Sequence, residues 1–198
     1  MSSFFGRRKR QAEPEYRPIP IVVPEKSPEE EGFAFETLDE KTIDEAVDAM
    51  MKAMPQVKWD SEGLKRILLS PNALTLIARR EKALVGVISG TVFPTPVPVP
   101  TVGLMAVTDP EAGERGIGAL LIDEYIKALQ KRSPKAAFVD VSLPTFDTGS
   151  IALYSLRGFM IEGFRKNGFG QSVTPQGGND LVFLRRRLVQ QTTQQSVV

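Results

Sequence analysis

The chain has 198 residues, a formal net charge of +1, 41% hydrophobic residues and 25% charged residues. Those values suit one globular domain with tails and give the molecule no global attraction to polyanions. Cysteine and histidine are both absent, which excludes a disulfide framework, thiol catalysis and the commonest metal ligand. Proton transfer must then fall to Asp, Glu, Tyr, Lys, the backbone or water. No metal-ligand spacing is visible, so no metal is expected. No apolar run approaches the ~20 residues that span a bilayer, and no apolar h-region comes after the first arginines. These features predict a cytoplasmic protein with no membrane span.

Residues 1–32 read as a tail. Arg7, Arg8, Lys9 and Arg10 form a basic cluster. Pro14, Pro18, Pro20, Pro24 and Pro28 punctuate the stretch beyond it, and Glu29-Glu30-Glu31 closes that stretch. Such composition favours extended chain. The basic, proline-rich tail is the candidate contact for another macromolecule, and the short Ile21-Val22-Val23 stretch is able to dock on a surface. Residues 189–198 form a polar tail at the other end. The domain is expected over residues 33–188.

Within it, Phe33 to Leu38 reads as a strand. Thr42 is placed to cap a helix whose Ile43, Ala46, Val47, Met50 and Met54 share a face, with Pro55 as its stop. Ser61 is placed to cap a second helix through Leu64, Ile67 and Leu68. Leu74 to Ala78 and Leu84 to Phe93 read as strands joined by a turn at residues 79–82. Pro94, Pro96, Pro98 and Pro100 form a stiff loop, since proline donates nothing to a ladder. Val102 to Val107 is the next strand. A helix comes next with Ile117, Leu120, Leu121, Tyr125 and Leu129 in one stripe, ending at Ser133-Pro134. Ala136 to Leu143 is a buried strand, Thr148 to Leu156 a short helix stopped by Gly158, and Phe159 to Phe164 and Leu181 to Arg185 the last strands. The order β-α-α-β-β-β-α-β-α-β-β predicts an α+β fold.

Between the Val102–Val107 strand and the long helix stands Glu114-Arg115-Gly116-Ile117-Gly118-Ala119. A strand, a glycine turn and a helix N-terminus make an anion site, because the first N–H groups have no intrahelical partner and the dipole favours negative charge. Three phosphate ligands compete. A P-loop needs Lys and Ser/Thr after its last glycine, where Ala119 and Leu120 stand. A dinucleotide fingerprint needs a third glycine where Leu121 stands, although Asp140 ends a suitable strand. The third possibility uses a second motif, Asp147-Thr148-Gly149-Ser150-Ile151-Ala152-Leu153-Tyr154-Ser155-Leu156-Arg157-Gly158-Phe159.

With both motifs in place, separated by one helix and one strand, residues 33–188 resemble the GNAT superfamily of N-acetyltransferases. The resemblance implies a mixed, mostly antiparallel sheet flanked by helices, with one parallel pair splayed to hold coenzyme A. Met105-Ala106-Val107 and Val139-Asp140-Val141 would be that pair. The backbone of Met105, Ala106 and Val107 would bind the coenzyme's pantetheine arm, and one N–H there would polarise the thioester carbonyl. Gly113, Glu114, Arg115, Gly116, Ile117, Gly118 and Ala119 would cradle the pyrophosphate. Gly113 departs from the family's Arg or Gln, with Arg115 as the substitute cation. Asp147 stands where the family often has Asn near the coenzyme; it is also placed to cap the short helix. Tyr154 matches the tyrosine that protonates the departing thiolate. The family's strand carboxylate, its usual base, is missing between Thr101 and Val107. Glu36, Asp109, Glu111 and Asp140 are the alternatives, beside water.

The implied activity is transfer of the acetyl group of acetyl-CoA, as co-substrate, to an amine acceptor of unknown identity. The acceptor would lie among the first two helices, the Pro94–Pro100 loop and residues 166–180. A silent domain of the same fold, serving as a binding or scaffold subunit, is the rival, and a homodimer is an open assembly.

Overall fold

The structure is a computed structural model that describes residues 21–22, 24, 26–28, 30–55, 57, 59–93, 95–96, 98–168 and 180–188. The Arg7–Arg10 cluster, Val23, Pro94 and residues 169–179 and 189–198 fall outside the described residues. The elements in chain order are β1 (Phe33–Thr37), α1 (Ile43–Ala53), α2 (Ser61–Leu68), β2 (Ala73–Arg80), β3 (Ala83–Thr91), β4 (Thr101–Val107), α3 (Pro110–Glu114), α4 (Ile117–Arg132), β5 (Phe138–Pro144), α5 (Thr148–Leu156), β6 (Met160–Arg165) and β7 (Leu181–Arg187). They match the expected α+β order with one addition, the five-residue α3.

One seven-stranded sheet runs β1-β2-β3-β4-β5-β7-β6. Its pairs are antiparallel except β4–β5, which is parallel. Each face is covered because each helix has an apolar stripe to bury. On one face α4 brings Ile117, Leu120, Leu121, Tyr125 and Leu129 against Leu76, Ile88, Val139 and Val141. On the other, Ile43, Ala46, Val47 and Met50 of α1 and Leu64 and Leu68 of α2 meet Ile77, Val87 and Ala106. Each fully buried Leu or Ile contributes about 2 kcal/mol of transfer free energy, so these stripes fix where both helix layers sit.

Two caps differ from expectation. Thr42 makes no side-chain cap bond; Asp39 Oδ1 instead accepts the Lys41 and Thr42 N–H groups. Asp60, one residue before Ser61, caps α2 by accepting the Gly63 N–H at 3.0 Å. A carboxylate oxygen is the stronger acceptor at a helix start, where the dipole also favours its charge. The β2–β3 turn is tighter than residues 79–82, with Glu81 at φ 56°. Gly158 stops α5 at φ 82°. Among the described residues no helix is long and apolar enough to cross a membrane.

Candidate active site

The parallel joint is short. Strands β4 and β5 pair only through Thr101 with Asp140 and Val102 with Val141. Beyond Val102 the two strands part. The expected pair is corrected in one respect: Asp140 and Val141 lie at the closed base, and Ser142–Pro144 form the β5 arm of the opening. Met105, Ala106 and Val107 remain paired to β3, opposite Ile88, Val87 and Gly86. Their β5 side has no strand partner among the described residues. The β3–β4 register slips between Ser89 and Gly90, leaving Gly103 as the extra residue. A bulge increases local twist, and this one sits where β4 leaves β5.

The outer end of β4 leads to the glycine turn. Asp109 caps α3 by accepting the Glu111 N–H at 3.0 Å, and Pro110 starts it. Gly113 is buried inside α3, so no side chain projects from that position. Glu114 and Arg115 are exposed. Gly116 is the N-cap of α4 at φ 81°, a left-handed conformation that favours glycine. Its carbonyl accepts from Ala119 and Leu120 at 3.0 and 3.2 Å. The N–H groups of Ile117 and Gly118, in the first turn, have no carbonyl four residues back within the helix. The turn therefore presents N–H groups and a positive dipole end beside the open end of β4. Arg115 is already engaged: its guanidinium lies 3.6 Å from Glu31 and 3.6 Å from Glu111.

Tyr154 lies inside the same layer. Its residue is 2% exposed, and its ring stands edge-on to Phe159 at 5.1 Å between centroids. The hydroxyl reaches Met105 Sδ at 4.0 Å, a weak acceptor. Burial, then Tyr125 and Asp147 nearby, push the hydroxyl well above the ordinary tyrosine range. It stays protonated and is able to give a proton to a base that forms beside β4. Asp147 is placed as a cap: Oδ1 accepts the Ser150 N–H at 3.0 Å and starts α5.

The four carboxylates considered as bases all have structural partners. Arg79 bonds Glu36 at 2.7 Å. Asp109 caps α3. Arg80 donates to Glu111 at 2.9 Å. Arg185 grips Asp140 with two bonds, at 2.7 and 2.8 Å. No free carboxylate therefore stands at the opening among these candidates. Two surface hollows also lie away from it. One of about 710 Å³ runs along Phe35, Leu76, Lys131 and Arg132, and one of about 490 Å³ lies by Asn72, Phe93 and Pro134.

Sequence reasoning allowed Ile21-Val22-Val23 to dock on a surface but did not say where that segment reaches. Val22 and Pro24 pack against Gly116, and Glu31 against Arg115. The one available signal was the apolar Ile21-Val22-Val23 stretch. Gly103, an isolated glycine in an apolar strand, was the available signal for the bulge.

The arrangement matches solved structures. The ribosomal-protein-S18-alanine N-acetyltransferase of Escherichia coli superposes with TM-score 0.68 at 18% identity, over 81% of this chain and 97% of that one. A GNAT-family acetyltransferase from Elizabethkingia anophelis, solved with acetyl-CoA bound, gives 0.63 at 19% identity, over 79% and 99%. A GNAT-family acetyltransferase from Streptococcus pneumoniae gives 0.64 at 18%, over 79% and 99%. At these identities the likeness is one of fold. No curated protein matches in sequence. The family model of the GNAT acetyltransferases matches residues 40–159, from the loop before α1 to the end of the Tyr154–Phe159 motif, and so the chain belongs to the GNAT acetyltransferase family.

Proposed function

We propose that the protein transfers the acetyl group of acetyl-CoA to a primary amine by direct attack in a ternary complex. The observation that carries this reading is the β4–β5 joint, fastened at two residue pairs and then open, in a chain of this family. The residues around it suit the co-substrate. Free backbone groups of Met105–Val107 can pair with an amide-rich arm as an added strand would. The N–H groups of Ile117 and Gly118 and the α4 dipole suit a diphosphate, while the Ala119 N–H already donates to the Gly116 carbonyl. Gly113 contributes no side chain to that contact.

In the proposed reaction the amine nitrogen attacks the thioester carbon, a C–N bond forms and the C–S bond breaks. An N–H of β4 stabilises the charge that gathers on the carbonyl oxygen. Tyr154 gives its proton to the departing sulfur and recovers one from solvent. With Glu36, Asp109, Glu111 and Asp140 all engaged, the proton released by the amine passes to water. Holding both reactants in line supplies most of the acceleration.

A second reading is favoured by that same engagement of the carboxylates: a catalytically silent domain of the same fold that serves as a binding or scaffold subunit. Isothermal titration with acetyl-CoA, paired with an acceptor screen that reads released thiol, tests both. The protein has no cysteine, so it adds no background to a thiol reagent. Binding with amine-dependent thiol release is expected. Binding with no release from any amine favours the silent domain, and no binding at millimolar acetyl-CoA overturns the transferase reading.

A further inference from the structure

The turn at Gly116 is covered by the chain's own N-terminal segment. A Cβ added at Gly116 would lie 3.1 Å from the Val22 carbonyl oxygen, 3.1 Å from Pro24 Cδ and 3.2 Å from Pro24 N. A backbone oxygen therefore sits beside the positive end of α4, where negative charge is favoured. A second oxygen ligand arrives separately. Glu31, whose side chain is 17% exposed, lies 3.6 Å from Arg115, the cation of the loop. The link between Val22 and β1 is folded so as to present both. The Ser27 carbonyl accepts from Glu31 at 3.1 Å, the Pro28 carbonyl accepts from Phe33 at 2.8 Å, and Gly32 turns the chain at φ 74°. Ser27 and Glu30 add a reciprocal pair of bonds, Ser27 N to the Glu30 carboxylate at 2.9 Å and Glu30 N to the Ser27 hydroxyl at 3.3 Å.

We propose that the described residues between Val22 and Gly32 form an intramolecular strap that competes with the coenzyme's diphosphate for the α4 N-terminus and Arg115. The Val22 carbonyl and the Glu31 carboxylate stand in for phosphate oxygens. The strap is anchored by one carbonyl contact and one partly exposed ion pair, and such pairs contribute little each, so a polyanion is able to displace it. Coenzyme binding and strap docking then oppose one another, and the coupling is reciprocal. A partner that takes hold of the tail ahead of the strap would raise coenzyme affinity by the same route.

The inference rests on the coenzyme-binding reading, and hydrogen exchange on the full chain separates the two. Saturating acetyl-CoA is expected to raise exchange in residues 26–33 while lowering it at residues 117–119. If coenzyme binds while exchange in residues 26–33 stays the same or slows, the competition is overturned and coenzyme binding stands. Glu31→Gln is expected to tighten acetyl-CoA binding by about two- to fivefold. Glu111→Gln removes an equal charge from Arg115 without touching the strap, and a gain as large as that of Glu31→Gln would show a charge effect alone and overturn the proposal. No binding by the native chain or by Glu31→Gln at millimolar acetyl-CoA removes the coenzyme reading, and the competition with it.

Discussion

Two parts of one sheet are fastened very differently. Strands β2 and β3 pair through eight residue pairs, from Ala73–Thr91 to Arg80–Ala83. Strands β4 and β5 are neighbours in the same sheet and pair through two. Both regions are built from β-branched and small apolar residues, so propensity does not separate them. Connectivity does. A hairpin zips from its turn, whereas a parallel pair is joined by a crossover, here the α3–α4 unit, and has no turn to hold its far end. The bulge at Gly103 then turns β4 aside. The proposed coenzyme contact needs unpaired strand edge at this place, and a parallel joint that stops after two pairs leaves it.

If the open end is the coenzyme site, the strongest effect should come from charge placed at its mouth. Gly118→Asp puts bulk and a carboxylate in the first turn of α4, where the new charge takes the ligand's place at the dipole and repels an incoming diphosphate. Acetyl-CoA affinity should fall by more than about a hundredfold in isothermal titration. Circular dichroism should show the fold retained. Normal binding by a folded variant would put the ligand elsewhere.

The closed base of the joint should be as intolerant as the open end is empty. At Gly90, opposite Val102, an added Cβ would lie 1.9 Å from the Thr101 carbonyl oxygen and 2.3 Å from the Tyr125 hydroxyl. That hydroxyl is buried with no hydrogen-bond partner among the described residues, so the clash falls on a group that already lacks compensation. Backbone at 1.9 Å cannot yield as a flexible side chain would. Gly90→Ala should destabilise the protein by about 3 kcal/mol, a fall in Tm of roughly 10 °C. A change near zero would show that the base of the joint is loose, and the contrast between the two regions would fail.

Tyr154 joins the two ends, since its hydroxyl reaches Met105 on the open side. Tyr154→Phe should lower turnover by about a hundredfold and leave acetyl-CoA affinity nearly unchanged. Burial holds the hydroxyl above its ordinary range, so the turnover of the native protein should not decline between about pH 8 and 10 through loss of this proton. Equal turnover in the two proteins would make Tyr154 a packing residue only.

Much of this was legible in the sequence, and the exceptions share a cause. Element order, the α4 stripe, the stop at Gly158 and the glycine turn depend on neighbours a few residues apart, so periodicity and turn chemistry reveal them. The partners of the candidate bases are not local. Asp140 meets Arg185 from 45 residues away, Glu36 meets Arg79 from 43 and Glu111 meets Arg80 from 31. From sequence each carboxylate is a candidate whose partner cannot be named; in the fold each partner is visible. The contact of Val22 with Gly116 is hidden for the same reason, because the two lie far apart in the chain. A splayed parallel pair was expected from the family resemblance, while its two-residue joint at Thr101–Val102 and Asp140–Val141 required the register.

The closed half carries a further fastener, and it should show the smallest effect. Arg79 on β2 donates to Glu36 on β1 at 2.7 Å, to Glu45 on α1 at 2.6 and 3.0 Å and to the Lys82 carbonyl at 3.0 Å. The Arg79 hydrogen bonds hold the Glu45 carboxyl below its ordinary 4.5. A carboxylate whose folded pKa is lowered adds stability above its unfolded pKa and loses it as pH falls through the folded value. Glu45 is 47% exposed, so screening limits the effect. Arg79→Met should therefore cost about 1 kcal/mol at neutral pH in urea unfolding. The difference from the native protein should shrink as pH falls below 4.5, toward whatever the Lys82 bond alone contributes. It should also shrink in molar salt. A cost that is unchanged at low pH would mean that Arg79 acts through packing and its backbone bond. The β1–β2–α1 corner would then be held by burial alone, and the contrast with the β4–β5 joint would rest on strand pairing without a charged clamp.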